Sequence, residues 1–390
     1  MAKILLLTDF SSGYSRSLLK GIVRYAKKMD NWLFYRMPLY YCMLYGEKWV
    51  IDWAKKWKAD AIIAQLDGVN INILNDLGIP IIVQNYKERN AYVSNFTGDY
   101  LNTGVMAARF FLSRGYKYFA FYGFNDTVWS RERLVGYQVE IEKHGYKLQI
   151  LSVHDKEHKD GDPTVLSEWL KSLPKPIALF ACDDFYALQV SEACNMSNIK
   201  IPDDIAILGV DNDELLCNIS NPPLSSIALD VENGGYRAGE LLNKLITKEI
   251  VEPFNIVVDP LFIVHRCSTD KYVVSNKYIH AVMEYIEQNY SDSLSVLDLV
   301  NIVPLSRRVL ERLFKEETAM TLHQYIQNCR IEHFTHLLLS TDSSLSEIAI
   351  QVGFDDCKNL SRVFRKYKNV SPAEYRRKYK ILMEENILEK

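Results

Sequence analysis

A chain of 390 residues has room for two or three domains with cores of their own, and 48% hydrophobic with 24% charged residues is the make-up of an ordinary globular protein. A formal charge of only −3 excludes a protein that is basic throughout, so any affinity for phosphate has to come from a local patch. Seven cysteines without a C-x-x-C pair, and no apolar run as long as a signal-peptide core or a membrane span, leave a reduced, cytoplasmic protein with no membrane partner as the expectation.

From the N-terminus, short apolar runs at residues 4–7, 61–64, 80–83, 119–122, 177–181 and 205–210 read as buried strands. The segments 17–28, 49–57, 100–113, 133–143, 163–172 and 185–196 between them read as helices. Strands that are apolar throughout, rather than alternating, belong to a parallel sheet covered on both faces. The alternation predicts an α/β unit of two lobes, lasting to about residue 250. In such sheets ligands sit beyond the carboxyl ends of the strands, and Asp9, Asp183 and Asp211 fall there. Residues 251–276 predict two short strands around Pro253 and Pro260 and then a polar connector, and the chain is helical from Tyr278 onward.

The stretches GDYLNTGVMAARFFLSRGYKYFAFYG (98–123), RERLVGYQVEIEKHGY (131–146), LFACDDFYALQVSEAC (179–194) and IPDDIAILGVDNDELL (201–216) resemble, in that order, the effector domain of LacI/GalR regulators and the related periplasmic sugar-binding proteins. The resemblance spans about residues 3–265. It implies a fold that closes two lobes on a sugar, with ligand contacts at Asp99, Arg133, Asp183 and Asp211. A sugar calls for carboxylates that accept from its hydroxyls, an arginine that donates, and an aromatic plane against its C–H face. Phe10, Tyr14 and Trp129 are candidates for that plane, and Asp9 for a further acceptor. Other readings stand beside these. Asp99 also reads as a plain N-cap, and Arg133 as a partner of Glu132 or Glu140 on its own helix. Trp129 also reads as packing between lobes, and of the adjacent Asp183 and Asp184 only one is expected to face the cleft while the other caps the helix that follows.

That family normally opens with a DNA-binding segment, whereas here the first strand stands at the start, so DNA binding is expected further along. In residues 296–317, Val296, Leu299 and Val300 line one helix and Arg307, Arg308, Arg312 and Lys315 the next. Pro304 occupies the place where such turns usually carry glycine, so this turn must avoid positive φ. In residues 345–377, Leu345, Ile348, Ala349 and Val352 repeat at helical spacing up to Gly353, which suits a left-handed turn. The next helix, 357–367, buries Leu360, Val363 and Phe364 and turns Lys358, Arg362, Arg365, Lys366 and Lys368 outward. Ser371-Pro372-x-Glu374 supplies the N-cap, first-turn proline and capping-box acid of a third helix. Between Lys358 and Lys380 nine Lys or Arg face a single acid, Glu374, which is an electrostatic footprint for phosphates.

Helix, turn and basic helix, occurring twice, is the pattern of a double helix-turn-helix. Residues 278–380 resemble the AraC/XylS DNA-binding domain, with the helix around residues 325–339 joining the two units. The resemblance implies an operator duplex as partner, read by Arg307, Arg308 and Arg312 on one helix and by Lys358, Asn359 and Arg362 on the other. Arginine suits guanine and asparagine suits adenine.

The expected architecture is thus an α/β two-lobed periplasmic-binding-protein-like (type I) domain, residues 1–271, followed by an all-α domain with two helix-turn-helix motifs, residues 272–390. Phosphate-loop, H-E-x-x-H and G-x-S-x-G motifs are absent, so neither catalysis nor a cofactor nor a metal is expected. His333 and His336 read as core or surface histidines, and HDKEHKDGD (154–162) as a loop of mixed charge. The combination implies a sugar-responsive activator of pentose-use genes, with D-xylose as effector or, alternatively, another sugar or sugar acid. A homodimer and contact with RNA polymerase are the further partner expectations.

Overall fold

Two sheets are laid down in succession along the first two thirds of the chain; the computed structural model describes residues 1–8, 10–29, 32–37, 40–66, 74, 77–153, 163–274 and 276–380. The first sheet holds β1 (Ala2–Leu7), β2 (Trp32–Met37), β3 (Ala61–Leu66), β4 (Ile81–Asn85), β5 (Ser94–Gly98) and, returning late, β11 (Ile256–Val258), in the order β2-β1-β3-β4-β5-β11. The second holds β6 (Phe119–Phe124), β7 (Leu148–Val153), β8 (Ile177–Ala181), β9 (Ile205–Val210), β10 (Ser225–Leu229) and β12 (Pro260–Val264), in the order β7-β6-β8-β9-β10-β12. Among the described residues all pairings are parallel except β10 with β12. Strand order reverses at β1 in one lobe and at β6 in the other, which opens a crevice at their carboxyl ends.

Helices α1 (Gly13–Met29), α2 (Tyr40–Tyr45), α3 (Glu47–Trp57) and α9 (Val231–Ile246) go with the first sheet, while α4 (Tyr100–Ser113), α5 (Val128–Lys143), α6 (Pro163–Ser172), α7 (Asp184–Met196) and α8 (Glu214–Ile219) go with the second. Phe111, Phe119, Phe121, Phe180 and Tyr137 are fully buried in the second lobe; truncating one such ring costs about 3–5 kcal/mol. In each lobe one helix pair crosses at glycines. A Cβ on Gly21 of α1 would stand 1.9 Å from the Glu232 carbonyl oxygen of α9, and one on Gly136 of α5 would stand 1.9 Å from the Leu101 carbonyl oxygen of α4.

The chain crosses between lobes three times, each time through one aspartate: Asp99 between β5 and α4, Asp230 between β10 and α9, Asp259 between β11 and β12. The crossings lie side by side, since Asp99 N–H donates to the Val258 carbonyl (2.9 Å) and Asp230 N–H to the Asp259 carbonyl (3.0 Å).

The connector that follows is pinned to the second lobe. Ser268 Oγ donates to the Ile207 carbonyl (2.7 Å) and Val273 N–H to the Arg114 carbonyl (2.8 Å). Helices α10 (Lys277–Asn289), α11 (Val296–Asn301), α12 (Arg307–Thr318), α13 (Leu322–Ser340), α14 (Leu345–Gln351), α15 (Cys357–Lys368) and α16 (Pro372–Tyr379) follow among the described residues. The long α13 serves two cores: Leu322, Tyr325 and Ile326 join Leu299, Leu310 and Phe314, while Ile331, Phe334 and Leu338 join Ile348, Leu360 and Phe364. Ser295 with Asp298, Thr321 with Gln324, Ser344 with Glu347 and Ser371 with Glu374 form capping boxes. Among the described residues no helix is long and apolar enough to cross a membrane.

Several elements differ from the sequence reading. The sequence reading omits β2, an edge strand whose apolar run WLFY (32–35) gives way to Arg36; β7 is an edge strand of mixed polarity, and β5 (SNFTG) is polar yet buried throughout. Asn95 is satisfied inside β5 because its amide donates to the Asn90 carbonyl (2.7 Å) and to Asn255 Oδ1 (2.8 Å). Pro253 lies outside a strand, and β11 begins only at Ile256.

Candidate functional site

Beyond the carboxyl end of β9, Asp211 and Asn212 have φ of 102° and 49°. Non-glycine residues hold such backbone only under constraint, and it clusters at functional sites. The constraint comes from Asp184, 1% exposed, which accepts from Asp213 N–H (2.8 Å) and Ser226 Oγ (2.6 Å). Asn212 N–H also donates to Ser226 Oγ (2.9 Å), and Arg266 donates to Asn212 Oδ1 (2.8 Å).

Arg133, projecting from α5, is 2% exposed and brings Nη2 within 3.5 Å of Asp211 Oδ1. Its Nη1 donates to the Cys182 carbonyl, and the guanidinium lies 5.4 Å over the Tyr100 ring. From the other lobe, Tyr14 of α1 sets its edge against Phe96 with ring centroids 6.3 Å apart. The Tyr14 hydroxyl, Thr8 Oγ1 and Arg133 Nε are buried without a hydrogen-bond partner among the described residues, and Asp211 Oδ1 has only its 3.5 Å ion pair with Arg133. Burial pushes Asp211 up to about 7 against the pull of Arg133, and burial also raises Asp183. Buried polar groups nearly always pair, so unpaired donors and acceptors gathered at strand ends mark a place suited to a ligand rich in hydroxyls.

The lobes touch beside this cluster. Gly13 N–H donates to Asp213 Oδ2 (2.7 Å), Val128 N–H donates to the Tyr86 carbonyl (2.7 Å), and Arg89 Nη2 pairs with Glu132 Oε2 (2.7 Å).

The other candidate residues lie as follows. Asp183 accepts from Tyr186 N–H (3.0 Å) and so caps α7, and the Arg133 charge acts on it as well. Its neighbour Asp184, half of the either-or reading, does neither job and instead ties down the 211–213 loop. Asp99 caps α4 by accepting from Asn102 N–H (3.1 Å). Trp129 stands edge-on to Tyr86 across the lobes, 4.9 Å between centroids, and Phe10 lies under the Arg36 guanidinium at 4.6 Å. Glu132 and Glu140 are taken by Arg89 and Arg109, so neither partners Arg133. Asp9 and the 154–162 loop lie outside the described residues. Sequence reasoning missed Asp213, Tyr100 and the buried Gln65, whose amide donates to Gln84 Oε1 (2.9 Å). A polar residue closing the apolar run of β3 was the available signal for Gln65.

At the other end of the chain, Arg307, Arg308 and Arg312 are exposed on α12, with Arg307 donating to Glu311 (2.9 Å) and Arg312 to Glu316 (3.1 Å). On α15 Lys358 and Arg362 are exposed, and Arg362 donates to Asn359 Oδ1 (3.1 Å). With Arg365, Lys366, Ser361 and Cys357 they line an open depression on the surface. Lys368, expected to face outward, is turned inward: its Nζ donates to the Leu261 carbonyl of β12 (3.2 Å). Arg376, Lys378 and Lys380 likewise bind Leu338, Asp259 and Asp342, so four of the nine cations do not face outward for DNA.

Glu287, Cys329 and His333 bring ligand-type atoms within 4.8 Å of one another. Cys329 Sγ donates to Glu287 Oε2 (3.6 Å) and His333 stacks on Tyr290 at 4.0 Å. Against the upward push of burial, His333, whose Nε2 lies 4.0 Å from Glu287 Oε2, and the Arg114 charge hold Glu287 down to about 2. That guanidinium disfavours a second cation, and the group reads as a polar network between the end of α4 and helices α10 and α13.

Comparison with known proteins matches residues 108–269 to a periplasmic binding protein-like domain and residues 299–378 to a helix-turn-helix domain. The xylose operon regulatory protein of Escherichia coli (strain K12) is 27% identical over 385 residues, 96% of each chain. Its namesake from Haemophilus influenzae is 29% identical over 390 residues, 96% of this chain and 98% of that one. A solved structure of a xylose-binding transcription activator superposes with a TM-score of 0.60 at 26% identity, covering 97% of this chain and 98% of that chain. Both halves, in this order, therefore align with one kind of regulator.

Proposed function

We propose that this protein is a sugar-responsive, DNA-binding transcription activator of the xylose-operon type, in which residues 1–271 take D-xylose and residues 272–390 hold operator DNA. The observation that carries the reading is the pairing of Arg133 with Asp211, beside the unpartnered Tyr14 hydroxyl, between two lobes of a chain that also carries two helix-turn-helix units. The similarity to xylose regulators along nearly the whole length supports the choice of sugar. Asp211 and Asp183 would accept from sugar hydroxyls, Arg133 would donate, and Asp99 would border the cleft beside the hinge, with Asp9 a further acceptor. Phe10, Tyr14 and Trp129 would supply its apolar walls.

Arg307, Arg308 and Arg312 on α12, with Lys358, Asn359 and Arg362 on α15, would enter successive major grooves about 34 Å apart. A ligand shifts a conformational equilibrium only through its different affinities for the two states, so sugar binding must favour one arrangement of the DNA-binding helices. The protein works in the cytoplasm as a homodimer, without catalysis, and recruits RNA polymerase.

Calorimetric titration with aldopentoses, hexoses and sugar acids tests the reading, with Asp211→Ala as control. Micromolar binding of xylose, lost in the variant, is the expected result. Preference for another sugar would keep the architecture and change the effector, whereas no heat with any sugar would overturn it. Asp211 sits near neutrality when buried and binds hydroxyls best as carboxylate. Xylose affinity should therefore fall below pH 7, approaching tenfold per unit, and Asp211→Asn should flatten that profile.

A further inference from the structure

The last helix among the described residues, α16, is seated on two of the three lobe crossings. Tyr379, ending α16, donates its hydroxyl to Asp259 Oδ2 at 2.6 Å, and Lys378 Nζ reaches the same oxygen at 2.7 Å. Asn233 stands in the first turn of α9, just past the Asp230 crossing. Its amide donates to the Tyr379 carbonyl at 2.7 Å and to Asp230 Oδ1 at 2.9 Å. One turn back along α16, the Tyr375 hydroxyl donates to the Leu261 carbonyl at 3.3 Å, on the strand that leaves the Asp259 crossing. These contacts grip the residues that must rotate when one lobe swings against the other, not the outer face of either lobe.

From α16 the path to the DNA-facing surface is short. Tyr375 is 4% exposed and meets the Phe364 ring edge-on at 5.3 Å. Phe364 is the buried side of α15, whose opposite face carries Lys358 and Arg362. Hinge, α16, Tyr375, Phe364 and α15 thus form one continuous series of contacts.

We propose that Asp259 and Asn233 are positioning residues for regulation: through Tyr379 and Lys378 they make α16 follow the hinge, so that the angle between the lobes sets the placement of α15. The inference rests on the functional reading above, since it presumes that a sugar changes that angle. Contiguity alone does not establish coupling, which has to be measured as a free energy between the two sites.

The experiment uses the full-length chain, D-xylose and a duplex that the protein itself selects from a random-sequence pool. DNA affinity is measured by anisotropy with and without saturating sugar, and sugar affinity by calorimetry. The variants are Tyr379→Phe with Lys378→Ala on the helix and, separately, Asp259→Ala with Asn233→Ala on the hinge; melting curves confirm folding. The wild-type chain should show a sugar-dependent factor in DNA affinity within about 5- to 150-fold, the usual span of such coupling. Both variants should bring that factor to within about twofold of unity while sugar affinity without DNA stays within about twofold of wild type. DNA affinity lowered equally with and without sugar would mean that the contact only holds the domain in place, and would overturn the proposal. A full wild-type factor in both variants would overturn it too. A wild-type chain indifferent to sugar would instead overturn the functional reading, and the positioning role with it.

Discussion

The two helix-turn-helix units share an outline but differ in turn and in charge. In the second, Gly353 at φ +85° closes α14, and Phe354 N–H reaches back to the Ala349 carbonyl (2.9 Å). In the first, Pro304 rules out that conformation, and no residue between α11 and α12 has positive φ. Two of the three exposed arginines of α12, Arg307 and Arg312, are laced to acids one turn on, whereas Lys358, Arg362, Arg365 and Lys366 share α15 with no acid at all. One unit presents a nearly neutral helix, and the other a cationic one. The scaffold is thus used twice with different weights on phosphate attraction.

The largest test of that contrast is in the turns. A Cβ at Gly353 would stand 2.6 Å from the Tyr290 carbonyl oxygen and 2.8 Å from that of Ser291, backbone that cannot step aside. Gly353→Ala should cost about 2–4 kcal/mol and lower the melting temperature by several degrees, while Pro304→Ala should stay within about 1 kcal/mol. Equal losses in thermal denaturation would erase the distinction. Next comes DNA. Lys358→Ala with Arg362→Ala should weaken duplex binding about 10- to 100-fold and reduce the salt slope by about two, against about fivefold or less for Arg307→Ala with Arg312→Ala. Anisotropy titrations across a salt series decide between them, and a reversed ranking would move the main contact to the first unit. The smallest effect is a gain. Glu311→Gln with Glu316→Gln removes two repelling charges and should raise affinity for random duplex about two- to threefold at low salt. No change would place α12 away from the phosphates.

Much of this was legible in the chain itself, because continuous apolar strands and capping boxes declare themselves locally. Ser371, Pro372 and Glu374 start α16 as their order suggests. Less legible was anything decided by direction in space. Lys368, Arg376, Lys378 and Lys380 count as positive charge in a string of letters, yet each spends its donors on carbonyls or acids of its own chain. Asp183 and Asp184 are adjacent and alike, and only the fold separates the helix cap from the buried anchor of the 211–213 loop. Polar β5 stayed hidden because its burial depends on Asn255, far along the chain.

The pinned connector bears on how such regulators can be taken apart and rebuilt. Ser268 and Thr269 are essentially buried, and a Cβ on Gly115 would come within 2.5 Å of the Val273 carbonyl oxygen. Arg114 lies 4.8 Å over the Tyr272 ring, so the stretch is part of the second lobe's surface layer and not a tether. Anyone grafting a foreign sensor onto α10–α16 at a junction near residue 272 would cut through packed structure and strip Arg114 of its cover. A working chimera would carry the connector and its bed from β9 and α4 as one cassette, and swapping modules by linker length alone should yield insoluble or unresponsive hybrids.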